Sequence, residues 1–375
     1  MARKKLKTRL SWILLGTTSI LLFIGAVMVL NASSVMAFSN KGDSCYYLKR
    51  QVISILIGLL GMVVFACLDY RFLRKFSSAF ICLSVILLIL IFVPGIGQEV
   101  GGARRWISVG GYSFQPSEFV KFAVVLYAAD ILAKRCGKLK KIKDLFVPFL
   151  GVMGLIVALL FMQPHLGAIL IICFSVFFLM FLNEVKLRHL ASLGLVGLFL
   201  VGVSIMFEPY RLRRFFAFLN PWGDPKDTGF HIIQSLLAFG SGGLTGTGLG
   251  MSRQKFLYLP EAHTDFIFAI IGEEFGLLGT LTVVFLFLVL IFTGLTISFK
   301  SNNNFGKLLG CGMVCLIATQ ALINMGGVTG ILPITGITLP FLSYGGSSLL
   351  VNLCGIGVLL NIANSSKKKR SILRS

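Results

Sequence analysis

Apolar runs of similar length recur along the chain, each ended by a short polar stretch or by a cluster of Gly and Pro. They fall at roughly residues 12–32, 51–68, 76–93, 117–133, 145–162, 166–183, 188–207, 266–298, 307–326 and 340–362. A helix rises about 1.5 Å per residue, so ~20 apolar residues match the hydrocarbon core of a bilayer. The pattern predicts an all-α polytopic membrane protein, with about ten transmembrane helices in one bundle that takes up residues 1–375 and leaves no room for a soluble domain. Three connections are long or rich in Gly and Pro: 94–116, 208–264 and 326–339. In the longest, YRLRRFFAFLN sets Arg211, Arg213 and Arg214 beside Phe215, Phe216 and Phe218, as a short interfacial helix would. PWGDPKD reads as a turn, HIIQSLLAF as a second short helix, and FGSGGLTGTGLG as a Gly-rich connector.

Composition agrees with this class. Of the 375 residues 56% are hydrophobic and only 13% charged, with a mean hydropathy of +0.89, too apolar for a soluble domain. The net charge of +21 could point to nucleic acid, so the placement of the cations decides. With ten spans and both termini cytoplasmic, inward segments hold 23 of the 35 Lys and Arg, outward segments hold 11, and Lys121 falls inside a span. That asymmetry follows the positive-inside rule and suits an anionic inner leaflet, so no nucleic acid is needed. On this reading residues 1–11 and 364–375 are basic cytoplasmic tails, and 208–264 is a large outer loop between spans 7 and 8. The start, MARKKLKTRL followed by an apolar run and Val35-Met36-Ala37, imitates a cleavable signal peptide. Its apolar run is long for a signal core and its removal would strand the basic C-terminus, so it reads as an uncleaved first span. Of eight cysteines only Cys45 lies in an outer loop, which argues against a disulfide framework; Cys311 and Cys315 share a helical face but lack His or acidic neighbours, as packing residues do.

Charges inside apolar runs are costly and therefore informative. Glu118 and Lys121 in PSEFVK lie three residues apart, on one helical face, where they can pair with each other or contact a substrate. Glu273 and Glu274 are adjacent in the eighth span and point to different sides. The Gly-rich connector lacks the Gly-Lys-Ser/Thr ending of a nucleotide loop; it reads either as a backbone nest for a lipid diphosphate or as a hinge. YLPEAHTDFIFAIIGEEFG, residues 258–276, carries Glu261, His263 and Asp265 directly into that span. Thr264 and Asp265 are placed to cap the helix, worth roughly 0.5–2 kcal/mol. Asp265, His263 or Glu261 could equally serve as a general base at an outer-surface site, and spacing cannot choose among them.

The chain resembles the SEDS family (shape, elongation, division and sporulation) of bacterial polymerases that join lipid II disaccharides into glycan strands. The resemblance runs through nearly the whole chain and is densest in GARRWI (102–107), QPSEFVK (115–121), TGLGMSRQKFLYLPEAHTDFIFAIIGEE (247–274) and INMGGVTGILPITGITLPFLSYGGSS (323–348). HTDFIFAIIGEE is closer in wording to the division and sporulation branch than to the elongation branch. The resemblance implies that Asp265 matches the family's essential outer-loop acid, acting on the 4-hydroxyl of an acceptor GlcNAc as it attacks the anomeric carbon of a donor MurNAc and expels undecaprenyl diphosphate. It also implies substrate contacts from Arg104, Arg105, Glu118, Lys121, Arg253, Lys255, Glu261 and His263, with Arg105 and Lys121 foremost. Also implied are a Mg²⁺ or Mn²⁺ ion on the diphosphate with unknown protein ligands, a single-span class B transpeptidase and other division proteins as partners, and residence in the bacterial plasma membrane with the active site facing outward. One departure is His165 in QPHLG, where many relatives have Asp. A lipid II flippase would use a similar bundle but needs polar residues through its full depth, whereas the inner halves of these spans read as apolar. A non-catalytic divisome scaffold leaves the dense outer-loop motifs without a task.

Overall fold

The computed structural model describes residues 2–100, 102–110, 112–134, 149–207, 209–256 and 258–371. Apolar periodicity becomes helix almost throughout: α1 (Ala2–Lys41), α2 (Tyr46–Cys67), α3 (Tyr70–Lys75) and α4 (Ser77–Leu90) precede a small sheet. After it come α5 (Pro116–Lys134), α6 (Gly151–Met162), α7 (Leu166–Leu182), α8 (Leu187–Phe207), α9 (Pro209–Leu219), α10 (Phe230–Gly242), α11 (Ile267–Phe299), α12 (Asn304–Val328) and α13 (Gly346–Ser371). Each expected apolar run falls on one of these helices, although residues 145–148 of the fifth lie outside the described residues. Among the described residues, five helices (within α1, α2, α11, α12 and α13) are long and apolar enough to cross a membrane, and four shorter apolar ones accompany them. α1 and α13 run on into the stretches expected as terminal tails.

The all-helical expectation needs one correction. Residues 97–114 form a three-stranded antiparallel meander, β1 (Gly97–Val100), β2 (Ala103–Val109) and β3 (Tyr112–Phe114). Val100 pairs with Ala103 and Val109 with Tyr112, so both hairpin connections are short. Gly102 (φ +75°) and Gly110 (φ +58°) take the left-handed backbone that such turns demand. The paired Gly-Gly signal was present in VGGA and VGGY but was overshadowed by the longer helical pattern. Pro116 then opens α5, where its missing N–H costs nothing.

α12 lies at the centre, packed against α5, α7, α11 and α13, while α13 lies along α2 and α1 along α11. In hydrocarbon no hydrophobic force draws apolar helices together, so close backbone approach and hydrogen bonds must. Gly312 illustrates the first: a Cβ there would lie 2.5 Å from Val125 Cγ1 of α5 and 3.2 Å from Leu179 Cδ1 of α7. Asn361 of α13 illustrates the second, donating to the carbonyls of Ala66 (2.7 Å) and Leu68 (2.6 Å) and accepting from Tyr70 N–H (3.1 Å) where α2 gives way to α3. At the α3–α5 contact, the Asp130 carboxylate accepts from Arg74 (2.7 Å), Ser77 (2.9 Å) and Lys134 (2.7 Å). The cysteines of the described residues are free thiols.

α11 is not one regular helix. Gly276 inside it has φ +61° and ψ −155°, a conformation open in practice only to glycine. The break frees backbone groups at membrane depth, and the Gly-rich connector supplies their partners. Thr247 and Gly248 N–H donate to the carbonyls of Glu273 and Glu274 (3.0 Å each), and Leu277 and Leu278 N–H donate to the carbonyls of Gly243 (2.9 Å) and Leu244 (3.2 Å). Neither a diphosphate nest nor a loose hinge is what this connector forms, since these amides already serve α11.

Replacing Gly276 by Ala would place a Cβ 2.5 Å from Gly246 N and 2.6 Å from Leu244 O, as well as forcing the backbone. The expected cost is roughly 3 kcal/mol or more. Gly154→Ala in α6 meets no atom within 4 Å and should stabilise by up to about 1 kcal/mol. Thermal unfolding of the detergent-solubilised protein followed by size-exclusion chromatography should separate the two, and equal melting temperatures would contradict the docking of the connector on the break.

Candidate functional site

Asp265 sits in the last turn before α11. The Glu261 carbonyl accepts the N–H groups of Thr264 (3.1 Å) and Phe266 (3.3 Å), with Glu261 itself in the left-handed region at φ +54°. The helix-capping role open to Thr264 and Asp265 is not the one they take. Phe266 occupies the cap position without a side-chain bond, and Thr264 Oγ1 donates instead to the Glu261 carboxylate (2.8 Å). Asp265 faces the coil at 329–345, the non-helical segment between α12 and α13, which is exposed around Ile331 and Leu332 and buried from Leu339 to Ser343. It lines a small, half-open cleft with Asn324, Gly327, Ile334, Thr335 and Gly336. A Cβ on Gly336 would lie 3.6 Å from Asp265 Oδ2, so glycine there leaves room beside the carboxylate.

Two amides of α12, spaced i and i+4 on one face, hold this arrangement. Asn324 Nδ2 donates to the carbonyls of Asp265 (2.8 Å) and Ile337 (2.6 Å), tying the acid's backbone to the coil. Gln320 Nε2 donates to Thr338 O (3.0 Å) and Ser348 Oγ (2.8 Å), and its Oε1 accepts from Lys121 (3.0 Å). Neither amide was singled out by the sequence reading, although polar side chains at helical spacing within an apolar run were a signal for them.

The electrostatics of the cleft single out one group. Burial pushes the Asp265 carboxyl up to about 7, helped by the nearby Glu261 charge and opposed by Arg214 and Arg105. The residue as a whole is only half-buried, but its carboxylate has no hydrogen-bond donor among the described residues to offset the lost hydration. His263 is lowered by burial, which Glu261 partly opposes, and its ring is packed between Tyr47 (centroids 4.5 Å apart) and Tyr344 (5.6 Å). His165 is pushed down to about 3, by burial first and then by Arg105 and Lys121. Its Nδ1 accepts from Ala168 N–H at the start of α7 (3.4 Å) and its Nε2 lies 2.8 Å from the Gln115 amide.

The other expected site residues are placed as follows. Glu118 and Lys121 form a buried ion pair at 2.8 Å. Arg105 donates to the carbonyls of Gln163 and Pro164, which anchors the sheet to the α6–α7 turn. Arg104 is exposed and pairs with Glu99 across the β1–β2 hairpin (3.3 Å). Arg253 has an exposed side chain, whereas Lys255 is buried and paired with Glu274 (3.2 Å). Glu261 is exposed beside the cleft. The interfacial helix expected around residues 210–220 is α9, and its Arg214, not counted among the site residues from sequence, reaches the Ile334 carbonyl (3.5 Å) on the cleft wall. Among the described residues no group of three or more His, Cys, Asp or Glu could hold a metal ion.

Comparison with known proteins bears on what this cleft does. A profile of the FtsW/RodA/SpoVE family, described as cell cycle protein, matches residues 11–368. The chain is 44% identical over 351 residues to a probable peptidoglycan glycosyltransferase FtsW of Geobacter sp. (strain M18), covering 94% of this chain and 96% of that protein. It is 42% identical over 361 residues to stage V sporulation protein E of Bacillus subtilis, covering 96% and 99%. Among solved structures it is similar to a chain from a peptidoglycan synthase complex that coordinates polymerization and crosslinking, with a TM-score of 0.77, 28% identity and coverage of 94% and 97%. The crystal structure of the Thermus thermophilus rod shape determining protein RodA aligns with a TM-score of 0.71, 28% identity and coverage of 94% and 96%.

The Asp265 carboxyl should titrate near pH 7. Because the folded state holds this proton to higher pH than the unfolded chain, whose carboxyl titrates near 3.8, the stability it contributes is complete below about pH 4 and lost as pH rises through about 7. Infrared difference spectra against Asp265→Asn should show the protonated carboxyl band fading near pH 7, and Glu261→Gln should move that midpoint down. A midpoint near 4 would contradict the half-buried, donor-poor environment.

Proposed function

The chain belongs to the FtsW/RodA/SpoVE family of cell cycle proteins, and from that membership we propose that it is a membrane-embedded peptidoglycan glycosyltransferase of the division or sporulation branch that polymerises lipid II with Asp265 as general base. The observation that carries the reading is the placement of Asp265 on the cleft, its carbonyl held by Asn324, where burial raises its carboxyl to about 7. In the reaction the 4-hydroxyl oxygen of an acceptor GlcNAc bonds to the anomeric carbon of the donor MurNAc. The C1–O bond to undecaprenyl diphosphate breaks, the leaving oxygen keeps the electron pair, and the hydroxyl proton passes to Asp265.

A sugar hydroxyl is a poor nucleophile, so a positioned carboxylate should accelerate the step by roughly 100- to 10,000-fold. Diphosphate leaves readily, and a second carboxylate acting as general acid is unnecessary. Arg214 and Arg105, whose charges reach Asp265, suit the role of receiving the departing diphosphate. Lys121 is committed to Glu118 and Gln320 and supports the cleft from below. The described residues do not build a dedicated cage for Mg²⁺ or Mn²⁺; such an ion would arrive on the diphosphate as part of the substrate. His263 suits the base role less, because burial weakens it as a proton acceptor and its ring is enclosed between Tyr47 and Tyr344. We further propose that both termini are cytoplasmic, that the cleft faces outward in the plasma membrane, and that a class B transpeptidase is the partner.

Asp265→Asn should yield folded, membrane-inserted protein that binds lipid II and makes no glycan. Asp265→Glu should be strongly impaired, since one methylene displaces the carboxylate beyond the ~0.5 Å tolerance of a working site. His263→Ala and Glu261→Ala should retain more activity than either, and wild-type rates should rise with pH through about 7. A near wild-type rate from Asp265→Asn in a lipid II polymerisation assay, with His263→Ala inactive, would move the base to His263.

Topology is checked by cysteine accessibility on a background without reactive thiols. Gly102 and Gly223 positions should label from outside, and Lys140 and Ser366 positions only from inside. External labelling at Lys140 would overturn the assignment.

A further inference from the structure

Glu273 and Glu274 are buried in the first half of α11, and neither lines the Asp265 cleft. Both carboxylates turn toward one short segment of the outer loop. Glu273 accepts from Ser252 Oγ and from the N–H groups of Arg253 (2.9 Å) and Gln254 (3.3 Å). Glu274 accepts from Ser252 N–H (3.3 Å), from the Lys255 ammonium (3.2 Å) and from the side-chain amide of Asn31. Lys255 completes the cluster by donating to Asn31 Oδ1 (2.7 Å) and the Gly250 carbonyl (2.6 Å). The segment 252–255 is therefore an anion nest whose occupant is the protein's own pair of acids, and Asn31 ties it to α1.

This matters for Asp265 because of what lies between. Residues 256–265 contain no helix or strand among those described, so regular backbone does not place the acid. Its position is set by the start of α11 at Ile267, by the bonds of Asn324 to its own carbonyl (2.8 Å) and of Tyr344 N–H to the His263 carbonyl (2.9 Å), and by the grip on Ser252–Lys255 upstream. We propose that Asn31, Lys255 and Glu274 are positioning residues that hold the loop, and with it Asp265, in register with the coil at 329–345. α1 thus acts on the site without lining it. The proposal rests on the reading of Asp265 as the base of a lipid II polymerase.

A structural cross-link would affect stability alone, whereas a positioning device lowers turnover in protein that remains folded. Two variants separate these. Asn31→Ala removes a neutral partner and leaves the ion pair, while the double variant Lys255→Met with Glu274→Met removes both buried charges together and strands neither. The full-length protein in lipid nanodiscs should show kcat for lipid II polymerisation lowered about 10- to 100-fold with KM unchanged. Hydrogen exchange should rise within 250–266, and the Asp265 infrared midpoint should shift. Wild-type kcat in both variants overturns the proposal, as does a loss confined to KM with exchange unchanged, which would mean that these groups touch substrate. If the wild-type chain makes no glycan, the polymerase reading fails, and the positioning proposal then stands or falls on whether exchange and the Asp265 midpoint both move in Asn31→Ala.

Discussion

Inside a bilayer every backbone N–H and C=O must find its partner within the protein, because hydrocarbon offers none. Regular helix meets that demand unaided, and most of this chain is helix. The two departures, the break at Gly276 in α11 and the coil at 329–345, are where the rest of the structure has to supply partners. The Gly-rich connector answers the first by laying its own amides and carbonyls along residues 273–278. Asn324 and Gln320 answer the second by donating to the carbonyls of Ile337 and Thr338. The coil, exposed around Ile331 and buried from Leu339 to Ser343, walls the cleft beside Asp265.

Charge is distributed by the same logic. A buried ion is costly unless paired and hydrogen-bonded, and most of the buried ions comply. Glu118 has Lys121, Glu274 has Lys255, Glu273 has a Ser hydroxyl and two backbone amides, and Asp130 has Arg74 and Lys134. Asp265, half-buried, faces the cleft, and among the described residues no donor reaches its carboxylate. Its raised affinity for a proton is the electrostatic consequence of that placement, and it suits a group that must gain a proton in one step and release it in the next.

Much of the site was legible before any geometry. The HTDFIF wording drew attention to Asp265, and the three-residue spacing of Glu118 and Lys121 allowed either pairing or a substrate contact, of which the structure shows the pair. Other assignments were not within reach. Lys255 looked like one more outer-loop cation, yet its ammonium is turned inward onto an acid 19 residues away in sequence and an asparagine 224 residues away. Arg105 looked like a free guanidinium, yet it holds two carbonyls at the α6–α7 turn. Asn31 carried no signal, because a lone amide in an apolar run can face lipid, water or protein.

What the sequence by itself determined is whatever depends on local pattern: the membrane class, the helical segments and the long loop that leads into α11. Run length against bilayer thickness and cation asymmetry are properties of a chain read in order, and so they survive without coordinates. What only the tertiary structure decided is which polar group meets which. A contact energy depends on distance and burial, and both arise from segments far apart in the chain. The break at Gly276, the nest filled by Glu273 and Glu274, and the donor-free surroundings of Asp265 all come from that long-range packing, and no local pattern encodes them.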